Sequence, residues 1–357
     1  MRQSLDNLFE RRKKMGNECC RESGFPIGIE RLTSDLREAA RTMSAAQARY
    51  LVDYYYQMQD DRIRSKNQGR AAKAETTEPT EWIDWVSSHL VALENRIKSA
   101  LDIYSDNQEL GKWARSITGI GPVLTAGLLA HIDISRSKHA GALWRYAGLD
   151  PTIEWLGKDK ADKLVRGVMG KATIVDNSHI IAIASSTNRL PENIRRLAIQ
   201  QHGDKELTKK DGDLGFSRDD LIKTVSRQPW NARLKVLTWK VGESFVKVQN
   251  REGGEFYGDL YIQRKDSEEM KNAAGEFKEQ ALAAAKRVSK SSDAYKHYSK
   301  GFLSPGHIHS RAKRWVTKIF LCHYFEVGYE IMHGKPPDRP WVIVHGDHSD
   351  YIKPPNW

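Results

Sequence analysis

The run Ser116-Ile117-Thr118-Gly119-Ile120-Gly121-Pro122-Val123-Leu124-Thr125-Ala126-Gly127-Leu128-Leu129-Ala130 constrains this chain more than any other stretch. It predicts two helices joined by a tight Gly-Ile-Gly turn. Gly119 and Gly121 free the backbone to turn and to approach another molecule with no side chain between. Pro122 suits the first position of a helix, where its missing N–H is not needed. The uncapped amides there carry partial positive charge, a natural seat for one phosphate. Leu124, Leu128 and Leu129 are the expected buried stripe, with Ala126 and Gly127 allowing close packing. This is the pattern of a helix-hairpin-helix, which grips a nucleic-acid backbone without reading bases. The architectural alternative is an ordinary corner whose glycines cap the first helix. A dinucleotide fingerprint does not fit, because no β-branched strand precedes the run and no third glycine follows at the required spacing. A Walker A lysine is missing as well.

At 357 residues, the chain is long enough for roughly two or three compact domains. Lys and Arg number 57 against 46 Asp and Glu, a net charge of +11 that favours a polyanionic partner. No stretch has the length of a membrane-spanning helix, and the N-terminus lacks the apolar run of a secretory signal. Cys19 and Cys20 are adjacent, without metal-ligand spacing, and the cysteines are too few for a disulfide framework. A cytoplasmic, nucleoid-associated protein with reduced thiols is expected.

The periodicity predicts a mainly α fold: a helical arm, a helix-hairpin-helix core and a long helical insertion. The arm covers 1–110. Helical spacing of Leu51, Tyr54, Tyr55 and Met58 is followed by a polar stretch, Ser65 to Glu78, that reads as an exposed linker. A second helix carries Trp82, Trp85, Leu90, Leu93, Ile97 and Leu101 as an expected core stripe. The pair is a candidate homodimerisation element. The hairpin module covers 111–151 and ends in a short helix stopped by Gly148 and Pro151. A basic insertion covers 152–303, beginning with a loop or hairpin over 152–171. The last segment, 304–357, holds a long helix from Ser304 to His333-Gly334, then a tail in which Trp341-Val342-Ile343-Val344 reads as a short strand or packed segment.

Two later helices pair an apolar face with a basic one. Leu234, Leu237, Val241, Phe245 and Val248 share one side, and Arg233, Lys240 and Lys247 another. Ala312, Val316, Ile319, Phe320 and His323 form the apolar side of the second, with Arg311, Arg314 and Lys318 on a different face. Each basic face alone reads as a solvated surface; together, beside a phosphate-binding hairpin, they suggest a nucleic-acid track. His307, His309, His323, His333, His345 and His348 cluster late in the chain, but their spacing is irregular and implies surface or phosphate-contacting roles rather than a metal site. Ser310, between His309 and Arg311, is a candidate nucleophile for a phosphodiester, with a helix-terminal or solvent-facing hydroxyl as the simpler reading.

Gly119-Ile120-Gly121-Pro122 followed by Tyr146-Ala147-Gly148-Leu149-Asp150-Pro151 resembles the C-terminal domain of the insertion-sequence 110/116/902 transposase family. Ile308-His309-Ser310-Arg311-Ala312-Lys313-Arg314 resembles a diverged form of that family's later basic motif. The resemblance implies a DNA-binding, transposase-like protein of a mobile element, phage or plasmid. In that reading Gly119, Ile120, Gly121 and Pro122 hold phosphates, and Arg145, Arg233, Lys240, Arg311 and Arg314 extend the contact. It also implies Ser310 as the family's serine if the protein is catalytic. The family's N-terminal half is a RuvC-like nuclease fold whose acidic residues hold metal. Here the first hundred or so residues read as helices with no apolar strand ending in Asp. No cofactor is therefore identified, and a divalent metal belongs only to a catalytic form. Two other classes stay open: a structural, partner-binding protein with an architectural hairpin, and a binder of structured RNA.

Overall fold

The computed structural model describes residues 31–75, 81–202, 213–339 and 351–357. The fold is mainly helical. Its described helices are α1 (Ser34–Arg41), α2 (Ala45–Glu75), α3 (Glu81–Asp106), α4 (Glu109–Ser116), α5 (Pro122–His131), α6 (Ala140–Tyr146), α7 (Gly157–Met169), α8 (Asn177–Thr187), α9 (Pro191–His202), α10 (Arg218–Ser226), α11 (Ala232–Val248), α12 (Glu255–Ala273), α13 (Lys278–Ala285), α14 (Asp293–Tyr298) and α15 (Pro305–His333). Two short strands, β1 (Ile174–Asp176) and β2 (Asp213–Ser217), pair antiparallel. The chain divides into two compact units, one built on Tyr50–Ile103 with the residues up to Thr42, the other on Met43–Arg49 and Tyr104–Trp357.

In the first unit, α2 and α3 run antiparallel. Arg62 pairs with Glu94 at 2.5 Å, Ser65 Oγ donates to the Ile83 carbonyl, and Lys73 reaches Asp84 at 3.3 Å. The polar residues from Ser65 onward are not a linker: the helix continues to Glu75, because Gly69 lets Ile83 approach and the lysines and arginines remain solvated. Trp82 and Trp85 are not core, being 74% and 40% exposed. A two-helix hairpin covers one stripe of each helix. With Ile83 facing Gly69, the tryptophans turn outward, Trp85 lying between the rings of Trp82 and His89.

In the second unit, α15 is the central pillar. Ser304 caps it by accepting from the His307 amide, Pro305 occupies its first turn, and Gly334 ends it at φ +68°. Phe320 at its middle packs on Trp113, Phe245 and Tyr257. The apolar face expected on α11 is buried in full: Leu234, Leu237, Val241, Phe245 and Val248. At Gly242 a Cβ would stand 2.6 Å from Thr317 Oγ1, so the closeness of α11 to α15 depends on its absence. Residues 351–357 lie against α4 and α15: Trp113 Nε1 donates to the Pro355 carbonyl, and Trp357 Nε1 to Glu330.

Residues 157–226 form a separate core of α7–α10 and the β1–β2 ribbon. The stretch 152–171, expected as a loop or hairpin, contains α7, whose Ala161, Val165 and Met169 sit four apart and are buried. The strand pair was not anticipated, since each strand is too short to show alternation. Cys19, Cys20, His345, His348 and Trp341–Val344 lie outside the described residues. Among the described residues, no helix is long and apolar enough to cross a membrane.

Candidate nucleic-acid interface

The two glycines of the hairpin do different jobs. Gly119 has φ +97°, a region that side chains of L-residues rarely adopt. Its carbonyl accepts from Ser244 Oγ at 2.6 Å, and a Cβ there would lie 3.0 Å from that hydroxyl and 3.1 Å from Val248 Cγ2. Gly119 is thus turned inward, onto α11. Ile120 is buried in the central core. Gly121 is exposed, its φ of −85° is open to any residue, and a Cβ would meet nothing within 4 Å. No side chain caps α5 at this end, and Pro122 opens the helix. The positive end of α5 therefore presents bare backbone outward. Leu128 is fully buried, whereas Leu124 and Leu129 are only partly so, and Gly127 admits Leu237 of α11.

The turn after α6 is built around a second cationic feature. Gly148 has φ +67°, and a Cβ there would strike Trp230 Cγ at 2.8 Å and Lys235 Cδ at 3.0 Å. The space it leaves holds the Lys235 ammonium 3.9 Å from the centre of the Trp230 ring. Lys318 of α15 lies over Trp144, whose indole N–H donates to the Lys318 carbonyl. Arg314, one turn before Lys318, acts electrostatically on both lysines. Burial, and then the charge of Arg314, hold Lys235 below the ordinary lysine range. Lys318 is lowered chiefly by burial, which outweighs the opposing charge of Asp150, with a further lowering from Arg314. Arg314 is lowered by burial and Arg311 against the opposing charge of Glu268. Among the described residues, none of the three has a carboxylate within ion-pair distance.

Residues 112–171 match the IS116/IS110/IS902 transposase family. This segment is similar to a transposase-family domain. It begins in α4, includes the hairpin, Trp144 and Gly148, and extends through α7 to Lys171. No curated protein and no solved structure matches the chain.

The other basic candidates divide by their partners. Arg145, inside the transposase-family segment, pairs with Asp150 at 2.8 Å. Arg311 spends its guanidinium on Glu268 at 2.5 Å and on Gln280. Arg233 is exposed, and Lys240 is half-buried, both on α11. Lys235 escaped the sequence reading because seven-residue spacing singles out Arg233, Lys240 and Lys247. The clue to it is Trp230, whose role appears only once the chain folds back. Glu268 was missed too. It is a buried carboxylate held between Arg264 and Arg311, and nothing in the spacing of α12 marks it.

Ser310 lies on the second turn of α15, where its hydroxyl donates to the Gly306 carbonyl at 2.8 Å. His307 sits one turn before it and Arg314 one turn after. Three histidines of α15 have tyrosine partners: His307 with Tyr298, His309 with Tyr261, and His323 with Tyr257. Expected at the surface or on phosphates, His307 and His309 are instead engaged within the fold. Burial and the neighbouring Arg314 and Arg311 lower the His307 pKa, which keeps its ring neutral at pH 7. Among the described residues, no three of His, Cys, Asp and Glu converge as metal ligands.

Proposed function

We propose that the protein is a DNA-binding, transposase-like protein of a mobile element that grips the duplex through its phosphates. The observation that carries this is the group Lys235, Arg314 and Lys318, none of which has a carboxylate within ion-pair distance among the described residues, beside the segment that matches the transposase family. Partly desolvated cations that repel one another are stabilised by a polyanion, which relieves the repulsion and releases its own counterions. Arg233 and Lys240 of α11 extend the positive surface, whereas Arg145 and Arg311 are engaged by Asp150 and Glu268. The bare α5 start at Gly121-Pro122 supplies a further phosphate contact. Such binding is largely sequence-independent. The exposed Trp82 and Trp85 support self-association through the N-terminal helices, and DNA as partner places the protein in the cytoplasm, at the nucleoid.

The test is a salt titration of binding to labelled duplex. Each of Lys235→Ala and Lys318→Ala is expected to reduce the slope of log K against log salt by about 0.9. Gly121→Ala, whose new methyl enters open space, is expected to keep the fold and weaken binding. Unchanged slopes and affinity in all three folded variants would make the hairpin and its cations architecture.

In the catalytic form of this reading, Ser310 Oγ attacks the phosphorus and becomes esterified to it as the bond to one deoxyribose oxygen breaks. That oxygen leaves as a hydroxyl, taking up the proton the serine loses, and Arg314 stabilises the charge developing on the phosphate. Ser310→Ala is then expected to abolish strand cleavage while leaving duplex affinity unchanged. Cleavage that survives this substitution removes Ser310 from the chemistry.

A further inference from the structure

The chain leaves the hairpin core after α6 and returns at almost the same point. The Asn231 amide donates to the Tyr146 carbonyl at 2.9 Å, and Asn231 Nδ2 to the Tyr146 hydroxyl at 2.8 Å. What lies between has its own core, in which Val165, Val175, Ile183, Ile194, Leu221 and Val225 are all fully buried. Within it, α8 and α9 are joined by only three residues, Asn188-Arg189-Leu190. Asn188 takes the left-handed conformation at φ +50°, ψ +39°, which asparagine tolerates better than most residues. Ala184, one turn earlier, is buried at 2% exposure, a small residue on the inner side of the corner. Arg189 is buried in the turn and donates to the Val225 carbonyl of α10, tying the corner to the helix behind it. Two helices on a rigid three-residue turn, backed by further helices and flanked by an antiparallel ribbon, are the layout of a helix–turn–helix.

The outward face of α9 has the chemistry of a base-reading helix. Glu192, Asn193, Arg196 and Ile199 are exposed there, and Leu190 is exposed at the turn. Arg195 is held back by Asn177 Oδ1 at 2.6 Å and by Glu192, whereas Arg196 reaches Asn193 Oδ1 at 3.4 Å. An arginine fork suits the guanine edge, an asparagine amide the adenine edge, and aliphatic tips the thymine methyl. Leu190 and Ile199, at 56% and 48% exposure, place aliphatic tips beside these polar groups. The positive Arg196 and the polar and apolar tips together fit the major groove of duplex DNA.

We propose that residues 157–202 and 213–226 form a second DNA-binding module, a helix–turn–helix inserted into the hairpin domain, whose helix Pro191–His202 enters the major groove and reads base edges. This rests on the reading that DNA is the partner, and adds a sequence preference that backbone contacts lack. The family match ends at Lys171, so the reading helix lies beyond it.

The test selects the intact protein against a pool of duplexes with a randomised centre, alongside its affinity for one unselected duplex. The wild type is expected to enrich a motif. Arg196→Ala and Arg196→Lys are each expected to lose about tenfold discrimination at one position, since lysine keeps the charge but not the fork. Asn193→Ala is expected to relax a neighbouring position, and affinity for the unselected duplex is expected to hold to within one phosphate contact. Duplex binding with no enriched motif overturns this inference alone, as does the same motif enriched equally by both Arg196 variants. Absence of any duplex binding by the wild type overturns it together with the backbone-grip reading.

Discussion

Glu268→Ala is expected to lower the stability of the hairpin domain by about 3 kcal/mol. The carboxylate is 1% exposed and is shared between Arg264 and Arg311, with Arg311 Nε at 2.5 Å. Removing it leaves two like charges facing one another across a cavity. Both guanidiniums retain some contact with water, which keeps the cost at the low end of what breaking a buried pair costs. Glu268→Gln keeps the volume and loses the charge, so an intermediate loss is expected. Burial opposes the charged form of Glu268, but the hydrogen bonds and charges of Arg311 and Arg264 outweigh it and hold the carboxyl below its usual range. A lowered carboxyl pKa stabilises the fold above the unfolded value, and that contribution is lost as pH falls through the folded one. The variant's deficit is therefore expected to shrink in acid. Guanidinium unfolding midpoints near pH 7 and at low pH measure both effects, and an unchanged midpoint in Glu268→Ala would sink the account.

Protonation of His323 is expected to remove about 3 kcal/mol of stability as pH falls from 6.5 towards 4. Burial lowers this imidazole to a pKa of about 4, against a smaller opposing effect of the hydrogen bond to Ile352. With Nε2–H donating to the Ile352 carbonyl, Nδ1 is left to accept from the Tyr257 hydroxyl at 2.8 Å. The unfolded chain binds a proton over this window and the folded chain does not, so stability rises with pH up to about 6.5 and then levels. His323→Gln, which cannot titrate, is expected to flatten that slope. Hydrogen exchange of α15 amides at pH 7 and pH 5 reads the difference locally. Equal pH dependence in wild type and variant would show that His323 does not carry it.

Much of the hairpin domain was legible because its signals are local. Ser304-Pro305 and Gly334 mark the ends of α15 by capping chemistry that involves only adjacent residues. The Gly-Ile-Gly-Pro run marks its turn in the same way, and the apolar spacing of α11 marks the face it buries. Local spacing names a face but not what faces it. That is why Trp82 and Trp85 read as core although they are exposed, and why the polar residues after Ser65 read as a linker.

The sequence by itself determined the helical class, the Gly-Ile-Gly turn between two helices, and the excess of positive charge, since each follows from residue type and short-range spacing. The tertiary structure decided which charges are available. Arg311 is neutralised by Glu268, 43 residues away, and Arg145 by Asp150, while Lys235 is set beside Arg314 of α15 by the folding of α11. It also separated Gly119, locked onto Ser244, from Gly121, which faces outward. Charge and conformational freedom are written in the chain, but whether they face solvent or protein depends on packing between segments far apart in sequence.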